Sequence, residues 1–155
     1  MTHLLDTSAL CAHFLDEPGA DEVDALLAAR TTSVCVLTWF EMRFVLKRMG
    51  VSARDALGAE RIYRAVVPQT WMVDETVVEA AILLRETAGD RLPMADTLIA
   101  GCAVVHDEIL VHRDRHFTTL PIQRVRQKRL PVAPGGLACR VEARARKRTP
   151  REREF

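Results

Sequence analysis

Closely spaced cysteines and long apolar runs are missing from this 155-residue chain and aromatic residues are few, and each lack excludes something. The four cysteines, Cys11, Cys35, Cys102 and Cys139, are widely separated and form no C-x-x-C pair. Neither a disulfide framework nor a thiolate zinc site is expected. Three of them lie in apolar contexts, where a free thiol behaves as a small core residue. A metal site built on histidines is not expected either. The longest near-continuous apolar run, Leu98 to Val105, is eight residues long with Gly101 inside it, far short of the roughly 18 needed to span a bilayer. Asp6 interrupts the N-terminus before an apolar stretch can form, which argues against a secretory signal. Aromatics at 5% offer little stacking surface for reading single-stranded bases. What remains is ordinary globular usage, 48% apolar and 28% charged, in a length suited to one domain. A soluble, cytoplasmic protein is the expectation.

The net charge of +1 hides a division. Residues 1–122 carry 11 Lys and Arg against 18 Asp and Glu, whereas residues 123–155 carry 11 against 3. An acidic body with a basic end points to a polyanionic partner, or to an acidic site that needs cations. The plainer alternative is a solvated basic tail.

Short apolar runs alternate with helical patterns. Strands are predicted at His3–Leu5, Ser33–Leu37, Thr70–Val73 and Ile109–His112, with a last edge strand at Ile122–Val125. Helices are predicted from Leu10 to Leu15, over 20–30, from Glu41 to Met49, over 52–67, from Glu75 to Thr87 and from Met94 to Val105, with Pro93 placed as a first-turn proline. One helical turn is expected over 115–120. After Pro131 the composition turns to Pro134-Gly135-Gly136 and a basic run from Arg140 to Arg153, so the domain boundary falls near residue 133. Strands without polar alternation predict a parallel sheet covered on both faces. Ligands of such sheets sit beyond the carboxyl ends of the strands, at the topological switch point.

Four carboxylates stand at such junctions. Asp6 follows the first strand, and Asp114 follows the strand ending at His112. Glu41 and Asp96 are expected in the first turns of their helices. Each has a structural explanation: Asp6 and Asp114 as N-caps, Thr38-Trp39-Phe40-Glu41 as a capping box with Leu37 and Met42 as its staple, and Asp96 as a countercharge to the helix dipole. Together they are harder to explain, because two carboxylates about 5 Å apart repel by roughly 3 kcal/mol at an effective dielectric near 20. A cluster of four requires cations. Oxygen ligands suit Mg²⁺ or Mn²⁺, ions that serve phosphoryl chemistry by activating water and stabilising charge on the scissile phosphate.

Four blocks of the sequence, Leu4-Leu5-Asp6-Thr7-Ser8-Ala9-Leu10, Thr38-Trp39-Phe40-Glu41, Leu92-Pro93-Met94-Ala95-Asp96-Thr97-Leu98-Ile99-Ala100 and Leu110-Val111-His112-Arg113-Asp114-Arg115-His116-Phe117, resemble in order the PIN domain, and within it the VapC-type toxin ribonucleases of type II toxin–antitoxin systems. The resemblance implies a PIN-like three-layer α/β sandwich, with a central, mostly parallel sheet of about five short strands flanked by helices. It implies a nuclease domain over residues 1–132 and a basic extension over 133–155. It further implies an endoribonuclease dependent on Mg²⁺ or Mn²⁺. Asp6 and Asp96 would be the principal metal ligands, Glu41 and Asp114 would complete the acidic pocket, and Thr7 or Ser8 would orient a ligand or water. Implied partners are RNA, a cognate antitoxin and a second copy of the chain, with no membrane.

The chain departs from the family pattern in three places. His112 stands where the family often has Thr or Ser. His116 replaces a second acid, and reads as a neutral replacement weakening a second metal position, as a phosphate contact, or as a surface residue. The basic tail, with Arg140, Arg144, Arg146, Lys147, Arg148, Arg151 and Arg153, extends past the usual end and is expected to add nonspecific RNA affinity. Competing readings are a non-catalytic PIN-like module binding RNA or protein, a DNA-directed nuclease with the same metal site, and a haloacid-dehalogenase-type phosphohydrolase. The last would want a second Asp where Ser8 stands.

Overall fold

The computed structural model describes residues 1–88 and 92–132. Cys139, the boundary near residue 133 and the basic run from Arg140 to Arg153 lie outside the described residues. Five strands, β1 (His3–Leu5), β2 (Thr32–Cys35), β3 (Gln69–Trp71), β4 (Ile109–His112) and β5 (Gln127–Arg129), form one sheet in the order β3-β2-β1-β4-β5. Every neighbouring pair is parallel. The helices are α1 (Thr7–Phe14), α2 (Ala20–Ala28), α3 (Val36–Arg48), α4 (Ala53–Val66), α5 (Glu75–Ala88) and α6 (Met94–Val105), with a 3₁₀ turn at Arg115–Thr119.

Strand geometry sends successive side chains to opposite faces, and both faces here are apolar. Leu5, Val34 and Val111 join one buried cluster with residues of α1, α2, α3 and α4. Leu4, Cys35 and Leu110 join the other, with residues of α5 and α6 and with Phe117. That double burial is why the strands show no polar alternation, and it gives the expected three-layer sandwich. Among the described residues no helix is long and apolar enough to cross a membrane.

From β1 the chain steps outward through β2 to β3, and then α5 and α6 carry it back past β1 to β4. The direction reverses between β1 and β4, so the crevice of the sheet opens at their carboxyl ends.

Four expectations need correction. Val36 and Leu37 are not strand but the first residues of α3, whose N-cap is Cys35. The helix therefore begins before Thr38, and the capping box with its Leu37–Met42 staple does not form. Pro93 is the N-cap of α6 and not its first helical residue. The last strand is Gln127–Arg129 in place of Ile122–Val125: the Pro121 carbonyl accepts the N–H groups of Arg124 and Val125 in a turn, and Ile122 is 75% exposed. An edge strand with one partner needs little apolar surface, so Gln-Lys-Arg carries no strand pattern.

The α5–α6 contact rests on a glycine. A Cβ on Gly101 would lie 2.8 Å from the Val77 carbonyl oxygen and 3.2 Å from Ala81 Cβ, whereas one on Gly58 of α4 meets nothing within 4 Å. The same substitution should have opposite signs at the two positions. Gly101→Ala should cost about 1–3 kcal/mol through overpacking, and Gly58→Ala should gain about 0.5–1 kcal/mol in helix propensity. Urea unfolding of the two variants checks this; a stabilised Gly101→Ala would disprove the close contact.

Candidate metal centre

Asp6 is placed by the sheet. Its N–H donates to the Val111 carbonyl at 3.0 Å, continuing the β1–β4 pairing by one residue. The chain then turns into α1, and the Asp6 carboxylate accepts the Ser8 N–H at 2.9 Å and the Ser8 hydroxyl at 2.5 Å. Ser8 Oγ in turn accepts the Arg113 N–H at 2.9 Å, so one hydroxyl links the ends of β1 and β4. The Arg113 guanidinium pairs outward with Glu17.

Asp114 repeats the device one strand over, capping the 3₁₀ turn by accepting the His116 N–H at 2.9 Å. Both aspartates are thus N-caps and also line the crevice. Asp96 lies in the first turn of α6. Glu41, expected in the first turn of its helix, is in the second turn of α3 because the helix starts at Val36. It takes no capping role, and its carboxylate accepts the Thr7 hydroxyl at 2.7 Å. The Thr38 hydroxyl, read as its capping partner, is buried with no hydrogen-bond partner.

His116, expected beside the acidic pocket with a surface position as one alternative, keeps a partly exposed side chain and stands next to two of the acids. Its Nδ1 lies 3.0 Å from Asp96 Oδ2 and 3.2 Å from Asp114 Oδ1. His112 does not reach the pocket. It is buried, its Nδ1–H donates to the Asp114 carbonyl at 2.9 Å, and its Nε2 faces the Gln127 carboxamide at 3.0 Å. Burial pulls the His112 pKa below the usual imidazole value, which suits a neutral ring fixing the Asp114 turn. Gln127 carries no signal in the sequence. His116 does carry one, standing four residues after His112.

The electrostatics are dominated by burial of the carboxyls, with their mutual charge adding to it. Burial pushes the Asp6 carboxyl up, against the opposing Ser8 hydrogen bonds and with a smaller contribution from Asp114. Burial also raises Glu41, with the Thr7 bond opposing and Asp6 adding. Asp96 is pushed up to about 7 by burial first, then by the charges of Asp6 and Asp114, with the His116 bond pulling the other way. Three carboxyls all displaced toward their protonated forms are a site where a cation would be stabilised. Asp96, Asp114 and His116 each offer one ligand atom, all within 4.8 Å of one another. A set of carboxylate oxygens with one imidazole fits a divalent ion. Arg140, Arg144, Arg146, Lys147 and Arg148 lie outside the described residues.

Fold and site define the class: a three-layer α/β domain with a carboxylate centre at its switch point. Residues 3–122 match the model of the PIN domain family, and the chain belongs to that family. No curated protein matches it. Among solved structures it is similar to a chain of VapBC2 from Rickettsia felis bound to a DNA fragment from their promoter, with 15% identity, 84% of this chain and 100% of that one covered, and a TM-score of 0.68. A chain of DNA-bound VapBC from Salmonella typhimurium gives 15% identity, coverages of 83% and 98%, and a TM-score of 0.67. A chain of VapBC-5 from Mycobacterium tuberculosis, a member of the VapBC family of toxin–antitoxin systems, gives 20%, 83% and 98%, and 0.59. At these identities the likeness is one of fold.

The raised Asp96 carboxyl has a consequence for stability. Unfolded, it titrates near 3.9; folded, near 7. Between these values the native state binds more protons, so this group makes stability fall as pH rises from about 4 to about 7. In the presence of chelator, Asp96→Asn should raise stability at pH 8 by about 1–2 kcal/mol, discounted for partial solvation. The gain should vanish near pH 4. Denaturant unfolding at the two pH values measures the difference; equal stabilities at pH 8 would disprove the strained carboxyl.

Proposed function

We propose that the chain is a divalent-metal-dependent endoribonuclease and the toxin of a toxin–antitoxin pair. The observation that carries this reading is that Asp6, Glu41, Asp96 and Asp114 lie close enough for their charges to bear on one another, with the Asp96 carboxyl raised to about 7 by burial and then by its acidic neighbours. Asp6 and Asp96 would be the main metal ligands, with Glu41 and Asp114 completing the pocket. A divalent ion bound there supplies a Lewis acid that lowers the pKa of water and neutralises charge on a phosphodiester.

The chain's own residues set the geometry. Ser8 fixes one carboxylate oxygen of Asp6 and ties it to the backbone of Arg113. Thr7 fixes Glu41. His112 fixes the turn that carries Asp114. Three of the four ligand candidates, Asp6, Glu41 and Asp114, are thereby held before substrate arrives, the condition for preorganised electrostatic catalysis. The attacking group in this scheme is water, and no side chain need act as nucleophile.

Partners are proposed on separate grounds. Support for an antitoxin comes from the likeness in fold to chains solved within toxin–antitoxin complexes. Exposed apolar residues support protein partners, among them a second copy of this chain: Phe40 and Phe44 pack together on α3 at 4.8 Å while 68% and 47% exposed, and Ile82 and Leu83 of α5 are exposed as well. An antitoxin arginine entering the pocket would supply the missing positive charge. The basic run Arg140–Arg148 would bind phosphates without sequence preference. RNA, as distinct from DNA, is favoured by the resemblance of the four motif blocks to the VapC-type ribonucleases.

Cleavage of RNA in Mg²⁺ or Mn²⁺, set beside chelator and beside Asp6→Asn, tests the activity. The expected loss in either control is roughly a hundredfold or more. Cleavage of DNA alone would make the chain a deoxyribonuclease, and no cleavage of either would favour a binding module. Deletion of residues 134–155 should weaken RNA binding and flatten the slope of log affinity against log salt. An unchanged slope would remove the tail from RNA binding.

A further inference from the structure

A nitrogen stands beside the carboxylates of the centre, and the fold fixes its position. The 3₁₀ turn that carries His116 is capped by Asp114 at its start and anchored by fully buried Phe117, which packs against the His112 ring at 4.8 Å. His116 is itself 38% exposed in its side chain, yet Nδ1 faces inward, 3.0 Å from Asp96 Oδ2 and 3.2 Å from Asp114 Oδ1. Adjacent donors in an octahedral shell of radius about 2.1 Å stand about 3 Å apart. The two separations already match that spacing. Hydrogen bonding holds the ring there, facing two carboxylates from different elements, one on α6 and one after β4.

We infer that His116 is a metal ligand and that it makes this centre prefer Mn²⁺ or a later first-row ion over Mg²⁺. The inference rests on the reading of the acidic cluster as a metal centre. Mg²⁺ is a hard ion taken almost wholly by oxygen donors. Affinity at sites containing imidazole rises along the first row from Mn²⁺ onward. Compared with a carboxylate, the His116 imidazole supplies no negative charge and no oxygen donor, and both differences weaken Mg²⁺ more than a transition metal. His112, four residues earlier, is not its partner in a paired-histidine site, because its two ring nitrogens are committed to the Asp114 carbonyl and to Gln127.

The test is metal binding without RNA, using the purified full chain. Pulsed electron paramagnetic resonance of the Mn²⁺-loaded protein should show nitrogen modulation from an imidazole, and His116→Asn should abolish it. Calorimetric titration with Mn²⁺ and with Mg²⁺ should give an affinity ratio that falls about tenfold or more in His116→Asn. His116→Asp should shift the ratio further toward Mg²⁺. If Mn²⁺ binds, Asp96→Asn abolishes that binding, and the wild type shows no nitrogen modulation, His116 is not a ligand while the carboxylate centre stands. An affinity ratio unmoved by either His116 variant overturns the selectivity. If the wild type binds no Mn²⁺, or Asp96→Asn leaves binding unchanged, the metal-centre reading fails and this inference with it. The wild-type spectrum needs no variant to fold.

Discussion

Burial of several carboxylates beside the carboxyl ends of β1 and β4 is the constraint around which the rest of the structure is arranged. The parallel sheet creates the crevice, and its topology delivers Asp6 and Asp114 from adjacent strands to the same edge. Two further acids then arrive on helices, Glu41 from α3 and Asp96 from α6. The fold supplies partial relief. Asp6 and Asp114 accept backbone N–H groups at helix starts, and Asp96 sits in the first turn of α6, where the helix dipole favours negative charge. Thr7 and Ser8 add hydroxyl donors. The relief is incomplete, since burial outweighs it at Asp6, Glu41 and Asp96 alike.

Such a site needs a rigid support, because relaxing outward would relieve the charge at the expense of geometry. The two apolar clusters provide it. Leu5 and Val111 anchor the ends of β1 and β4 from one face, and Leu4 and Leu110 do so from the other, all fully buried. On the far face α6 is pressed so close to α5 that position 101 must lack a side chain, which fixes the helix whose first turn bears Asp96. The Ser8 hydroxyl then bridges the two strand ends with both its donor and its acceptor in use. Packing and hydrogen bonding therefore meet at the same few residues.

Much of this was legible in the sequence, and the failures have identifiable physical causes. Doubly buried strands read as short apolar runs, so β1 and β4 were located to the residue. β5 was misplaced because an edge strand need not be apolar, while the exposed turn around Ile122 mimicked one. The α3 start was hidden by a run of β-branched and apolar residues whose first helical turn is capped by no side chain. A capping motif beginning at Thr38 offered a locally consistent alternative, and tertiary packing overrode it. The four acids were legible because each stands at an element junction. His116 was legible only as a departure from the family pattern, since spacing alone cannot say which of two histidines four residues apart faces the pocket.

The choice between capping role and site role, which looked exclusive residue by residue, dissolves in three dimensions. An N-cap aspartate presents one carboxylate oxygen to the backbone and leaves the group fixed in position and direction. Capping is thus the means by which Asp6 and Asp114 are aimed. Glu41 shows the converse: released from the cap it was expected to make, it is aimed by Thr7. His116 completes the pattern from the side of charge, since its ring N–H lies between two carboxylates that would otherwise repel. A donor that holds Asp96 and Asp114 together without metal also holds them near the spacing a metal needs. In the metal centre proposed above, that would lower the reorganisation required when an ion enters.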